Sequence, residues 1–210
     1  LVKLGQILGA VPWTLGVQGV KAERLRDVAG PTLEQIRMML AAARQQQPAR
    51  AARDIALLMM FFSMGLRGVE VRELQLEHLN LPAGRVLIRG KGHMERTPQT
   101  LSVNVQTALT EWLTHRGDIP GPLFVSLSRR ASSSQGLTRK SVWSIINRLG
   151  KKVGIRAWPH GLRHTAITES LDMLNGDVRA VRKFSRHENV QTVIDYDDAR
   201  QNVAGSIAER

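Results

Sequence analysis

The chain has 210 residues, 42% hydrophobic and 23% charged, enough for one domain with a real core and room for a fragment of a second. It has no cysteine, which excludes disulfides, thiolate metal sites and a cysteine nucleophile. Thirty Lys and Arg against 18 Asp and Glu leave a formal charge of +12, a balance that suits a polyanionic partner, either nucleic acid or an anionic membrane.

Residues 1–31 carry Pro12, Gly16, Gly19, Gly30 and Pro31 and read as a linker or the end of a preceding domain. The start at Leu1 rather than Met suggests a piece of something longer. Thr32 and Gln35 fit a capping box, and Leu33, Ile36, Met39, Leu40 and Ala43 form the apolar stripe of the helix it opens. Gln45-Gln46-Gln47-Pro48 ends that helix. Residues 52–64 are apolar nearly all round, which predicts a helix buried in the core, stopped by Gly65.

The period then changes. Arg85-Val86-Leu87-Ile88-Arg89 predicts a strand, Gly90-Lys91-Gly92-His93 a turn, and a second strand runs to about Thr100. Helical spacing returns at Val105, Ala108, Leu109 and Trp112 and closes at Gly117. Thr138 caps the next helix, with Val142, Ile145, Ile146 and Leu149 inward, Arg139, Lys140 and Arg148 outward, and Gly150 at its end. Pro159 opens a helix that runs to Gly176. Val178, Val181 and Phe184 make a short one, and Val190, Val193 and Ile194 another with Tyr196 near its end. The fold class is mainly α with a small antiparallel β-sheet.

Charge is unevenly spread. From Ile119 to Thr168 there is no Asp or Glu, yet the stretch holds nine Lys and Arg residues, Arg139, Lys140, Arg148, Lys151 and Lys152 among them. A solvated surface usually mixes both signs, so this face is expected to meet a polyanion. No apolar run reaches the roughly 18 residues of a membrane span and no signal-peptide pattern is present, so a cytoplasmic protein that acts away from membranes is the expectation.

Three groups carry chemistry. Arg67 follows the helix stop at Gly65, and Glu70 three residues on can orient it. Within Trp158-Pro159-His160-Gly161-Leu162-Arg163-His164-Thr165, His160 and Arg163 share one face of a first helical turn, where free N–H groups and the dipole favour an anion. His160 and His164 also have the i,i+4 spacing of a zinc pair, but no acidic residue is near and Arg163 would repel a dication, so no metal is expected. The third group is Ser185-Arg186-His187, with Tyr196, the chain's one tyrosine, nine residues beyond His187.

Arg67 in Gly-Leu-Arg-Gly-Val-Glu, Lys91 in a Gly-Lys-Gly turn, His160-Gly-Leu-Arg163-His-Thr, His187 and Tyr196, in this order, resemble the tyrosine recombinases of the phage integrase family. The resemblance covers about residues 32–210, the family's catalytic domain with its C-terminal tail, and residues 1–31 resemble the link from the family's core-binding domain. Ser185-Arg186-His187 departs from the family's usual Leu-Gly-His.

The resemblance implies a site-specific recombinase that cuts and rejoins double-stranded DNA at a defined site through a 3′-phosphotyrosine, without metal, ATP or other cofactor. Arg67 and Arg163 would clamp the scissile phosphate, Tyr196 attack it, His160 accept or relay the phenol proton, Lys91 protonate the departing 5′-oxygen and His187 donate to a nonbridging oxygen. Glu70 would support Arg67, and His164 is structural. Arg139, Lys140, Arg148, Lys151 and Lys152 would contact DNA. Assembly as a tetramer on DNA, possibly through Val203 and Ile207 of the tail, and association with the nucleoid are implied as well. Two alternatives stay open: DNA relaxation of the type IB topoisomerase kind, and a DNA-binding accessory protein without catalysis.

Overall fold

In this computed structural model, residues 30–90, 94–128 and 135–201 are described, with side chains to residue 198. Residues 1–29, residues 91–93 with Lys91, residues 129–134, and residues 202–210 with Val203 and Ile207 lie outside the described residues. Helix α1 spans Leu33–Arg44 and opens on the expected capping box: the Gln35 N–H donates to Thr32 Oγ1 at 3.2 Å, and the Thr32 N–H donates to Gln35 Oε1 at 2.9 Å.

Helix α2 runs Pro48–Phe62, so Pro48 starts a helix as well as ending the connection before it. Its missing N–H and fixed φ suit the first helical position, which moves the start ahead of the residue 52 expected from apolar content. Ala52, Ala56, Leu57, Leu58, Met60 and Phe61 of α2 are buried, and the helix packs on its neighbours through the middle of the main core. After it, Gly65 takes φ +55°. A Cβ there would stand 3.0 Å from the Phe184 ring and in the left-handed region that glycine tolerates.

The short helix α3, Gly68–Arg72, leads through a 3-10 turn at Leu76–His78 into the sheet. Strands β1 (Leu79–Asn80), β2 (Arg85–Arg89) and β3 (Arg96–Thr100) pair antiparallel in the order β1-β2-β3. Register places Ile88 opposite Thr97 and Leu87 opposite Pro98. Val86 and Ile88 face inward in strict alternation, and Pro98 is tolerated because β3 is a sheet edge. The two strands expected from the sequence are present. β1 was not expected, because two residues carry no readable period.

Helix α4 (Val103–Arg116) packs on α2, and its buried Trp112 donates to the Leu123 carbonyl at 2.9 Å. Helix α5 spans Arg139–Lys152 behind the Thr138 cap. It runs past Gly150, which is no stop signal: a Cβ at Gly150 would lie 2.7 Å from the Ala157 Cβ, so the missing side chain permits close packing. Helices α6 (Pro159–Met173), α7 (Val178–Ser185) and α8 (Gln191–Gln201) complete the described chain. Tyr196 sits in the middle of α8 rather than near its end.

Burial divides into two clusters. The main core joins α1 to α5, the sheet and Leu162 of α6. A small second core gathers Ile167 and Leu171 of α6, Val181 of α7 and Val193 of α8, with Val178 and Tyr196 packed against it. Helix α6 therefore belongs to both. At its start, the Thr165 hydroxyl donates to the Pro31 carbonyl at 2.6 Å, so Gly30 and Pro31 lie against α6.

Candidate active site

Between α3, α5, α6 and the segment after α7 lies an open cleft of about 1110 Å³. Arg67, His160, Arg163 and His187 line one side of it, with Arg139 and Lys140 of α5 also on its wall. These side chains are up to 120 positions apart in the sequence (Arg67 to His187), and tertiary folding alone brings them together.

Arg67 is the N-cap of α3. Its backbone N–H donates to Glu70 Oε2 at 2.8 Å, and its Nη1 donates to Glu70 Oε1 at 2.8 Å. The Glu70 side chain is fully buried. Burial raises its carboxyl pKa, but Arg186, the Arg67 N–H and the Arg67 guanidinium together outweigh that and hold it below the usual range. The carboxylate thus aims the arginine from beneath, while 21% of the Arg67 side chain stays open to the cleft.

Pro159 sets the start of α6, so His160 and Arg163 fall in its first turn, as the sequence predicts. Arg163 is 1% exposed. Its Nη1 donates to the Gly65 carbonyl, and its Nη2 donates to the Ser185 carbonyl at 2.6 Å and reaches His187 Nε2 at 3.1 Å. Burial first, then Arg67, pull its pKa down to about 9, with Glu70 opposing. It remains a cation at neutral pH. His160 is exposed at the rim, and desolvation against the cleft wall, then Arg163 and Arg67, lower its pKa.

His187 follows α7 and is half-buried. Desolvation, then Arg163 and the other cations around it, push its pKa from 6.5 down to about 4. A guanidinium only donates, so His187 Nε2 accepts from Arg163 and the proton sits on Nδ1, which donates to Ser185 Oγ at 2.9 Å. Tyr196 packs behind, its ring 6.0 Å from the His187 ring and 4.5 Å from that of His164. Burial raises the phenol pKa while Arg163 and Arg67 pull it down, which places the hydroxyl within the field of both guanidiniums.

Among the basic candidates, Arg139 and Lys140 reach the cleft, and Lys151 and Lys152 are exposed at the far end of α5. Arg148 turns to α2, where its Nη2 donates to the buried Asp54 at 2.9 Å. Asp54 also accepts from Arg53 at 2.7 Å and from Gln46 at 3.0 Å. Sequence reading missed this network, since an acid inside an apolar run gives no sign of its partners. It singled out Ser185 and Arg186 beside His187 but assigned them no contacts, because those depend on the fold. Among the described residues no group of three His, Asp or Glu side chains could hold a metal ion.

The sequence model of the phage integrase family matches residues 32–202. A tyrosine recombinase of Synechococcus elongatus is 37% identical over the whole chain, which spans 67% of that protein. Another, from Synechocystis, is 31% identical over the whole chain, which spans 68% of it. The crystal structure of the site-specific recombinase XerH in a post-cleavage complex with a palindromic difH substrate superposes with a TM-score of 0.70. That match has 22% identity, covers 88% of this chain and 54% of XerH, and speaks to the fold. The chain belongs to the phage integrase family. Its activity class is that of the tyrosine-type site-specific recombinases, and neither DNA relaxation nor a non-catalytic accessory role is favoured. Among the described residues no helix is long and apolar enough to cross a membrane.

Proposed function

We propose that this chain is the strand-transfer domain of its recombinase, and that Tyr196 is the nucleophile. The observation that carries the reading is the meeting of two arginines, two imidazoles and the single phenol: Arg163 Nη2 lies 3.1 Å from His187 Nε2, and the His187 ring 6.0 Å from the Tyr196 ring. Arg67 and Arg163 present forked donors to the nonbridging oxygens of a scissile phosphodiester and neutralise the charge that builds in a pentacoordinate transition state.

Tyr196 Oη attacks phosphorus, and the P–O5′ bond breaks. The product is a 3′-phosphotyrosine and a free 5′-hydroxyl. The phenol proton passes to His160, whose lowered pKa leaves it neutral and able to accept at pH 7. Lys91 supplies the proton for the leaving 5′-oxygen. Attack by the 5′-hydroxyl of a partner strand reverses the step and returns the tyrosine. The ester keeps the bond energy, so rejoining needs neither ATP nor metal. The substrate is duplex DNA with a defined site. Arg139 and Lys140 are its contacts on the cleft wall, Lys151 and Lys152 bind its backbone, and Arg148 adds positive field near the same helix. The working unit is a tetramer on DNA, with Val203 and Ile207 as anchors between protomers, and its place of action is the nucleoid.

The test is a nicked suicide substrate carrying the cognate site. The wild-type chain is expected to give a covalent protein–DNA adduct, and Tyr196→Phe to bind the same DNA with no adduct. An adduct formed by Tyr196→Phe assigns the nucleophile elsewhere.

A further inference from the structure

Arg186 caps α7 in the left-handed region, at φ 56° and ψ 40°. Glycine adopts that conformation freely, whereas a residue with a Cβ is strained there. The side chain kept at this strained position is 11% exposed and reaches back into the site. Its Nη1 donates to the Phe184 carbonyl at 2.7 Å. Its Nη2 donates to the Met64 and Gly65 carbonyls at 3.3 and 3.0 Å and to Glu70 Oε2 at 3.2 Å. Its own carbonyl accepts from Arg67 Nη2 at 3.0 Å.

Glu70 is therefore shared. One oxygen takes Arg67 Nη1, and the other takes the Arg67 N–H and Arg186 Nη2. A single carboxylate paired with Arg67 alone would orient it and cancel its charge. With Arg186 in the cluster, the three groups carry one net positive charge, so Arg67 is both oriented and still electrostatically available. The same guanidinium joins carbonyls at the end of α2, in the main core, to one at the end of α7, in the second core. That link fixes the segment bearing His187 against the segment bearing Arg67.

We propose that Arg186 is a positioning residue for strand cleavage: it divides Glu70 with Arg67, so that Arg67 is held in place without being neutralised, and it docks the His187 segment onto the Arg67 segment. The proposal rests on the recombinase reading above. Its distinct content is that a cation, not only a left-handed backbone, is required at this position.

The experiment measures two quantities on the suicide substrate: the rate of adduct formation in the preformed complex and the dissociation constant for DNA. Arg186→Gly keeps the backbone conformation and the carbonyl that holds Arg67. It is expected to cleave at least tenfold more slowly with less than a threefold change in DNA affinity. Arg186→Lys restores a charge at the cost of backbone strain, and is expected to cleave faster than Arg186→Gly. In a Glu70→Gln background there is no carboxylate charge to divide and Arg67 is not neutralised, so the penalty of Arg186→Gly should shrink below threefold. Wild-type cleavage by Arg186→Gly, a lysine variant no faster than the glycine variant, or an equal penalty in both backgrounds each overturns the proposal. Should Arg186→Gly fail to fold, Arg186→Lys against Arg186→Met makes the comparison at equal strain, with equal rates as the overturning result. If the wild-type chain itself forms no adduct, it is the recombinase reading that fails.

Discussion

His187 shows how a neighbour sets the proton inventory of a site. Arg163 occupies Nε2 as a donor, so without DNA that nitrogen carries no proton to give. The cost of keeping the imidazole neutral shows in the free protein's stability. An unfolded histidine takes its proton near pH 6.5, and folded His187 near pH 4. Between these values the unfolded state binds more protons, so stability rises with pH across that window. His187's contribution is complete above pH 6.5 and is lost as pH falls toward 4. Thermal unfolding at pH 7 and pH 5 is expected to show a larger drop in midpoint for the wild-type chain than for His187→Gln, whose side chain can still accept from Arg163. Equal drops would mean that His187 does not titrate in this way. Glu70 acts further down the scale. Its folded pKa is lowered, so its stabilising charge is present above the ordinary carboxylate range and is lost as pH falls through it.

At the scale of elements, the helices that build the cleft are held in place by charge as well as apolar packing. Asp54 is fully buried in α2 and binds Arg53, Gln46 and, from α5, Arg148. Removing the acid strands a buried guanidinium, because Arg53 is itself 5% exposed. Asp54→Ala is expected to cost about 3–5 kcal/mol in urea unfolding, the usual penalty for breaking a buried pair. Arg148→Ala should cost about 1 kcal/mol or less, because that side chain is 40% exposed and water can take its place. Equal losses would show that the burial of Asp54 does not decide the energetics. Strong periods made most elements legible in advance: the capped stripe of α1, the alternation of β2, the all-round apolar run of α2. Errors came where one residue type serves two purposes. Pro48 both ends a connection and starts a helix, and Gly150 permits close packing where it looked like a stop.

At the scale of the molecule, the second core is small. Ile167, Leu171, Val181 and Val193 carry it, and the segments bearing His187 and Tyr196 depend on it. A unit with little buried apolar surface opens at lower free energy than the main core. Native-state hydrogen exchange is therefore expected to find the amides of α7 and α8 less protected than those of α2 and α4, with protection gained on DNA. Uniform protection through all four helices would mean that the two cores open together.

The linear chain already held the reactive residue types, their order, the basic stretch from 119 to 168 and the helical or strand period of most segments, because these depend on local covalent pattern. It also held the single tyrosine and the departure at Ser185-Arg186. Tertiary structure decided which groups share a charge and which share a proton. Arg148 went to Asp54, Glu70 was divided between Arg67 and Arg186, and His187 received Arg163 at Nε2. Electrostatic and hydrogen-bond partners are chosen by distance in space and by exclusion of water, and neither is written in the spacing of residues along the chain.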